Sequence, residues 1–302
     1  MSILISIVTL TYKKFELLYK AIDSVLIQDY PEIEYIISDD GSPNFPKTEI
    51  CEYIEKHKRE NLKKLMILTH ETNQGTVKNI NTAYRHASGE IIIPVSADDE
   101  LMDSTIVSKI EKVYAQRDCN ALIVGRALYN SSGEYVRNIP SKKEAEILSR
   151  LKNNREQYQR FITGRFFGAF SGCTLSVKKT FIEHWGYFDE RYTLWEDGPF
   201  FAQYLWKHHM ECEFDIIGLK YNDGGVSSEK KHPLLLKDDE LFRKTDRVAH
   251  MRELNFIERA ILRHSLSRSV DASRKDRILA AMKHPVGFLG IKIYRLSLKA
   301  LY

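Results

Sequence analysis

Cysteine is scarce in this 302-residue chain, and its four cysteines (Cys51, Cys119, Cys173, Cys212) stand far apart with no C-x-x-C spacing. That excludes a disulfide-stapled scaffold and a cysteine-rich zinc site, and it suits a reducing, cytoplasmic setting. Long apolar runs are missing too: nothing approaches the ~18 residues of a membrane-spanning helix. The opening stretch MSILISIVTLTYKK is apolar but short, without a basic leader or small-residue cleavage site, and reads as a buried strand. The ten histidines form no H-E-x-x-H, and G-x-S-x-G, P-loop and G-x-G-x-x-G signatures are absent. Metalloprotease, serine hydrolase, P-loop NTPase and dinucleotide oxidoreductase readings therefore have no support.

What remains is an ordinary globular composition, 43% hydrophobic and 28% charged, enough for one large core or a core plus an appendage. The net charge of +4 hides an asymmetry. From Arg243 to Tyr302 there are 14 Lys and Arg against 5 Asp and Glu, whereas residues 1–242 carry 31 against 36. An acidic body with a basic tail is the first sign of two parts: 1–242, with halves at about 1–129 and 165–228, and a helical extension over 243–302.

The first 130 residues alternate strand and helix patterns. Apolar, β-branched runs at Leu4–Leu10, Ile33–Ser38, Leu65–Thr69, Ile91–Val95 and Ala121–Tyr129 read as strands. Helical spacing fills Glu16–Gln28, Pro46–Lys58, Val77–Ala87 and Ser104–Arg117. Continuous apolar strands between amphipathic helices predict an α/β fold with a mainly parallel, Rossmann-like sheet covered on both faces. Residues 130–165 are polar and read as a surface insertion or mobile loop, while Phe166–Val177 returns to small residues, as where backbone approaches a ligand.

Open parallel sheets bind ligands beyond the carboxyl ends of their strands, and two loops there carry paired carboxylates, Asp39-Asp40 and Asp98-Asp99. Two acidic pairs on one rim repel each other unless a cation or donor groups satisfy them. Hard oxygen ligands at Asp98-Asp99 suit Mg²⁺ or Mn²⁺ bridging a diphosphate; helix capping by Asp99 or Asp103 is the alternative. Asp39 suits a hydrogen bond from a base or ribose, or simply an Asx turn. Asn73-Gln74-Gly75 with Lys78 favours an anion at a helix N-terminus, or an ordinary capped helix with a solvated lysine. Trp195-Glu196-Asp197-Gly198 offers either a helix cap or a general base beside aromatic surface. The aromatic neighbours Trp185, Tyr187, Phe188 and Tyr192 read as a sugar platform or as core.

In order and spacing, these segments resemble the bacterial family-2 glycosyltransferases of the GT-A fold over about residues 3–228. The shared stretches are Ser6–Tyr12, Ser24–Gln28, Ile36–Ser42, Asn73–Asn79, Ala87–Glu90 leading to Asp98-Asp99, Ser171-Gly172, Gly186–Glu190 and Glu196-Asp197. The resemblance implies inverting transfer of a sugar from a nucleotide-sugar, usually a UDP-sugar, to a glycan, glycolipid or glycoprotein acceptor in surface polysaccharide or glycoconjugate synthesis. It puts Thr9, Thr11, Tyr12, Asp39, Lys78, Asp98 and Asp99 at the donor, with Asp98 as ligand of Mn²⁺ or Mg²⁺. Asp197 would be the catalytic base, and Trp195 and Glu196 would border the acceptor. Three positions depart from the family pattern: Ser96 at the first D-x-D carboxylate, Leu10-Thr11-Tyr12-Lys13 for Pro-Thr-Tyr-Asn, and Asn222 for a late histidine.

The thinned D-x-D leaves a second reading, a non-catalytic nucleotide-sugar-binding scaffold subunit. A nucleotidyltransferase would need a glycine- and arginine-rich loop where this chain has Thr11–Lys14. The basic tail, with Phe256, Ile257, Ile261, Leu262 and Leu266 among arginines, suits a helical cap, a homodimer contact or a peripheral contact with anionic lipid at the inner face of the plasma membrane. Nucleic acid is not an expected partner, because no recognition motif accompanies the charge.

Overall fold

The computed structural model describes residues 2–13, 15–151, 153–164, 166–222, 232–267 and 273–299. Lys14, named in the motifs above, lies outside the described residues. The chain opens with β1 (Ile5–Thr11), α1 (Phe15–Leu26), β2 (Ile33–Asp39), α2 (Lys47–His57), β3 (Leu62–Thr69), α3 (Thr76–His86) and β4 (Ile91–Pro94). There follow β5 (Glu100–Leu101), α4 (Ile106–Gln116), β6 (Ala121–Tyr129), β7 (Tyr135–Ile139), α5 (Lys142–Ser149) and α6 (Asn154–Ile162). Then come β8 (Leu175–Lys178), α7 (Lys179–Trp185), α8 (Asp197–Lys207) and β9 (Glu211–Asn222). The last helices are α9 (Pro233–Lys244), α10 (Phe256–Leu266), α11 (Arg274–Lys283) and α12 (Pro285–Lys299).

Among the described residues these strands form one sheet in the order β3-β2-β1-β4-β8-β6-β9-β5, with β7 beside β6. The first four are mutually parallel, and β1, β2 and β4 are buried almost throughout. β8 then runs antiparallel to both β4 and β6, and β9 runs parallel to β6. The sheet is therefore mixed beyond β4. Side chains alternate between two apolar layers. Ile5, Ile7, Tyr35 and Ile37 pack under α1, α2 and α4. Val8, Ile36 and Ile92 pack under α3, α6, α7 and α8.

The 130–165 segment is a surface feature only in its first part, where residues 131–137 are exposed. Its helix α6 carries Tyr158, Phe161 and Ile162 at i, i+3, i+4 spacing, all completely buried in the main core. Three apolar residues among many polar ones are a weak periodic signal, and they are enough for one docked face. The basic tail also begins inside the core: Leu254 and Leu262 belong to that same layer. Buried Arg247 donates from Nε to the Ile162 carbonyl (3.0 Å) and from a terminal nitrogen to Ser265 Oγ (2.8 Å).

A buried glutamate fixes the register at the amino ends of the strands. Glu34 accepts hydrogen bonds from the Ser6 hydroxyl, the Ser88 hydroxyl and the Ser88 amide, tying β1, β2 and the entry to β4 together. Burial pushes its carboxyl up, but these three donors outweigh that and hold it below its ordinary value. Its contribution is therefore complete above the ordinary glutamate range and is lost as pH falls through the lowered folded value. Glu34→Ala should cost about 3 kcal/mol in urea unfolding at pH 7, since it removes charge-assisted bonds and leaves buried donors unmet. The gap between wild type and variant should shrink as unfolding is repeated toward pH 3.

Candidate active site

The carboxyl ends of β1, β2 and β4 lie side by side, so their loops share one rim; Thr11 pairs in register with Asp39. Thr11 is buried there with no partner for its hydroxyl, an acceptor and donor left over for a ligand. Tyr12 is exposed beside it. Lys13 takes a left-handed conformation (φ 60°), an uncommon one for a non-glycine residue, while its amide donates to Ser42 Oγ (2.9 Å). Thr9, expected at the donor, is a core residue: its side chain is fully buried and its hydroxyl is engaged with Tyr35 (3.0 Å). It sits two residues before the strand end, too deep for its side chain to reach the rim.

Asp39 closes its own turn, accepting from the Ser42 amide (2.8 Å) and hydroxyl (2.5 Å). Asp40 reaches across to the next loop and accepts from the Gln74 and Gly75 amides (2.8 and 2.9 Å). Burial raises its pKa against those two donors. Val77 at the start of α3 gives its amide to the Thr193 carbonyl (3.1 Å). The 74–77 turn is thus closed by Asp40 and Thr193. These amides do not form the open anion cradle that the sequence suggested. Gly75 (φ +92°) is required there, since a Cβ would stand 2.6 Å from Thr193 O. Lys78 is exposed on the next turn of the helix.

The second acidic loop divides its pair. Asp99 is buried, with Oδ1 accepting from the Asn222 amide (3.2 Å) and Oδ2 without a partner. Burial and the adjacent Asp98 push its pKa up to about 8. Asp98 is half-buried, and its main-chain carbonyl accepts from Asn222 Nδ2 (2.6 Å). Asn222 therefore clamps this loop to the end of β9. Arg126 on β6 supplies the local positive charge that sequence reasoning missed. It is buried, donates to the Gly168 carbonyl (3.1 Å), lies over the Tyr221 ring (4.9 Å), and favours the ionised forms of both Asp99 and Asp197.

Asp197 is the first residue of α8, where the helix dipole favours a carboxylate. Its Oδ2 accepts from the Gly172 amide (2.7 Å). Desolvation raises its pKa, against the Gly172 amide, the Trp195 side chain and the Gly198 amide. Glu196 beside it rises to about 8, through burial and the Asp197 charge. Gly172 allows this approach: a Cβ there would lie 2.5 Å from Glu196 Oε1. The Trp195 indole covers Gly198 and meets Phe242 edge-on at 4.9 Å. Of the other aromatics, Phe188 and Tyr192 are core, and Trp185 and Tyr187 are partly buried against it.

Asp238 on α9, also missed by sequence reasoning, holds this loop. Its buried carboxylate accepts from three consecutive amides, Thr193 (3.0 Å), Leu194 (2.7 Å) and Trp195 (3.1 Å). Nothing in the local sequence Leu235–Glu240 marks it, because the partners lie more than 40 residues upstream.

Among the described residues, no group of three or more His, Cys, Asp or Glu is arranged to hold a metal ion. Mg²⁺ and similar hard cations are commonly held by one or two carboxylates plus substrate phosphates and water. The half-exposed Asp98 beside an orphaned Asp99 oxygen fits a cation that arrives with a diphosphate.

Removing the Asp238 carboxylate should free the loop before Asp197. In Asp238→Ala, amide exchange at residues 193–195 should rise by roughly 10–100-fold by mass spectrometry, the loss expected for charge-assisted bonds. Asp238→Asn, which keeps one acceptor oxygen, should fall between.

Comparison with known proteins bears on this geometry. The chain is 27% identical over 197 residues to the Campylobacter jejuni GalNAc(5)-diNAcBac-PP-undecaprenol beta-1,3-glucosyltransferase, covering 63% of this chain and 58% of that protein. It is 25% identical to the Staphylococcus epidermidis poly-beta-1,6-N-acetyl-D-glucosamine synthase, covering 61% of this chain and 42% of that one. The chain thus spans about half the length of these curated relatives. Among solved structures, S. aureus TarS 1-349 in complex with UDP-GlcNAc superposes with a TM-score of 0.64 at 19% identity, over 92% of this chain and 79% of that one. The mannosyltransferase PcManGT from Pyrobaculum calidifontis, in complex with GDP-Man and Mn2+, gives 0.53 at 15% identity, over 98% and 88%. The family model for glycosyl transferase family 2 matches residues 6–184. The chain therefore belongs to glycosyl transferase family 2 and has its GT-A fold.

Proposed function

We propose that this chain is an inverting glycosyltransferase of polysaccharide or glycoconjugate synthesis, moving a sugar from a UDP-sugar to a hydroxyl of a glycan, glycolipid or glycoprotein acceptor. The observation that carries the reading is Asp197. It is a carboxylate of raised pKa, held by the Gly172 amide and electrostatically linked through Arg126 to the Asp98-Asp99 loop. A base poised nearer to neutrality transfers protons efficiently. Asp197 takes the acceptor hydroxyl proton as that oxygen bonds to the anomeric carbon; the bond to the diphosphate oxygen breaks, and the nucleoside diphosphate leaves with the electron pair.

Thr11, Tyr12 and Asp39 form the donor's base and ribose side, with Lys78 toward the phosphates. Asp98 would hold Mn²⁺ or Mg²⁺, which supplies charge neutralisation for the leaving diphosphate when bound. Trp195 and Glu196 border the acceptor. The neighbour solved with UDP-GlcNAc supports the uridine choice, and the one solved with GDP-Man and Mn2+ supports the metal and makes guanosine donors the comparison to run.

Asp197→Asn should lower sugar transfer by at least about 10³-fold while leaving UDP affinity within roughly twofold, since base catalysis and not donor binding is removed. Unchanged turnover would take Asp197 out of the base role. Asp98→Ala should abolish the Mn²⁺-dependent part of UDP binding in calorimetry. With a base that must be deprotonated and whose pKa is raised, kcat/KM should climb with pH through the raised value.

A further inference from the structure

The basic tail divides into a docked part and an outward-facing part. α10 is docked, with Ile261 and Leu262 buried. α11 and α12 rest on it through small residues. Ala280 is buried and its carbonyl meets His264 Nδ1 (3.2 Å). A Cβ on Gly287 would come within 2.1 Å of Ala260 O, and one on Gly290 would stand 3.0 Å from Ile261.

Phe288 also faces α10, its ring 5.7 Å from that of His264, but most of the other large apolar side chains point the other way. On α11 they are Ile278, Leu279 and Met282, and Met282 is 72% exposed. On α12 they are Val286, Leu289, Ile293 and Leu296, between 45% and 61% exposed and spaced i, i+3, i+7, i+10, which is one stripe of a helix. A helix that caps a soluble protein normally turns its large apolar residues inward. Here a second apolar stripe is left facing out, and an exposed apolar surface of this kind marks an interaction site.

Charge selects the occupant. By sequence, residues 273–299 hold seven Lys and Arg against the single Asp276, and Lys275 and Lys283 are exposed beside the stripe. A second copy would set this positive charge against itself. An anionic lipid surface attracts it and takes up the apolar side chains. Among the described residues no helix is long and apolar enough to cross a membrane, so the helices lie on the surface. We propose that the outward face of α11 and α12 is a docking surface for anionic phospholipid membranes, independently of the transfer chemistry at Asp197.

The test is sedimentation of the full chain with vesicles of phosphatidylcholine alone and with roughly 30% phosphatidylglycerol, at low and high salt. Binding should be at least tenfold greater on the anionic vesicles and weaken with salt. The double substitution Leu289→Glu with Ile293→Glu should lower it at least tenfold, and Lys275→Glu with Lys283→Glu should remove most of the anionic preference. Both pairs are exposed, so melting temperatures should hold; the lipid-composition comparison on the unaltered chain needs no variant. Equal binding to both vesicle types, or equal binding by wild type and the Leu289/Ile293 variant, overturns the proposal. So does a lipid-free wild-type dimer, seen by sedimentation velocity, that this variant converts to monomer, because a second copy would then own the face.

Discussion

A carboxylate taken out of water must be met by donors, or the fold loses several kcal/mol at that position. This chain buries carboxylates repeatedly, and four of them are met by backbone amides from distant segments. Glu34 draws on Ser88, Asp40 on the 74–75 turn, Asp99 on Asn222 and Asp238 on residues 193–195. Each bond between distant residues sets where a loop must lie. The rim of the sheet is shaped by this requirement more than by apolar contact, because the apolar layers sit on the two faces and leave the strand ends to polar groups.

The parallel half of the fold was legible because it is local. A strand buried on both faces must be largely apolar, and the helix after it must be amphipathic, so β1, β2, β4 and β6 announce themselves in short windows, and the edge strand β3 does so through its Leu65–Leu68 run. The other half was not. β8 is four residues long, and β9 mixes charged and apolar side chains of intermediate exposure, so neither carries a clean period. Helix α6 offered three apolar residues in a polar stretch, which reads as surface until Tyr158 and Phe161 are found beneath α8.

The candidate site was legible to the same degree. Paired acids in strand-end loops, and an acid at the start of an apolar helix, are signals in the chain itself, and Asp39, Asp98 and Asp197 rest on them. Arg126 and Asp238 are single charged residues in unremarked contexts. Their importance lies in what folding places opposite them, the Asp99 and Asp197 carboxylates for one and three amides for the other. Thr9 is the opposite case. It sits in the right stretch of sequence but one pleat too deep, and its hydroxyl is absorbed by Tyr35.

Thr193 links the Asp39-Asp40 loop to the stretch that carries Asp197. Its carbonyl takes the Val77 amide, its own amide goes to Asp238, and its packing is the reason position 75 is glycine. Asp40 holds the other side of the same turn through Gln74 and Gly75. A displacement of the Asp39-Asp40 loop must therefore move the 74–77 turn, and with it Thr193, four residues from Asp197. A displacement of α9 acts on the same residue from the far side through Asp238. The Asp39-Asp40 loop and Asp197 are joined through the 74–77 turn and the 193–197 stretch, so the position of the Asp197 carboxylate depends on how the rim at the end of β2 is arranged.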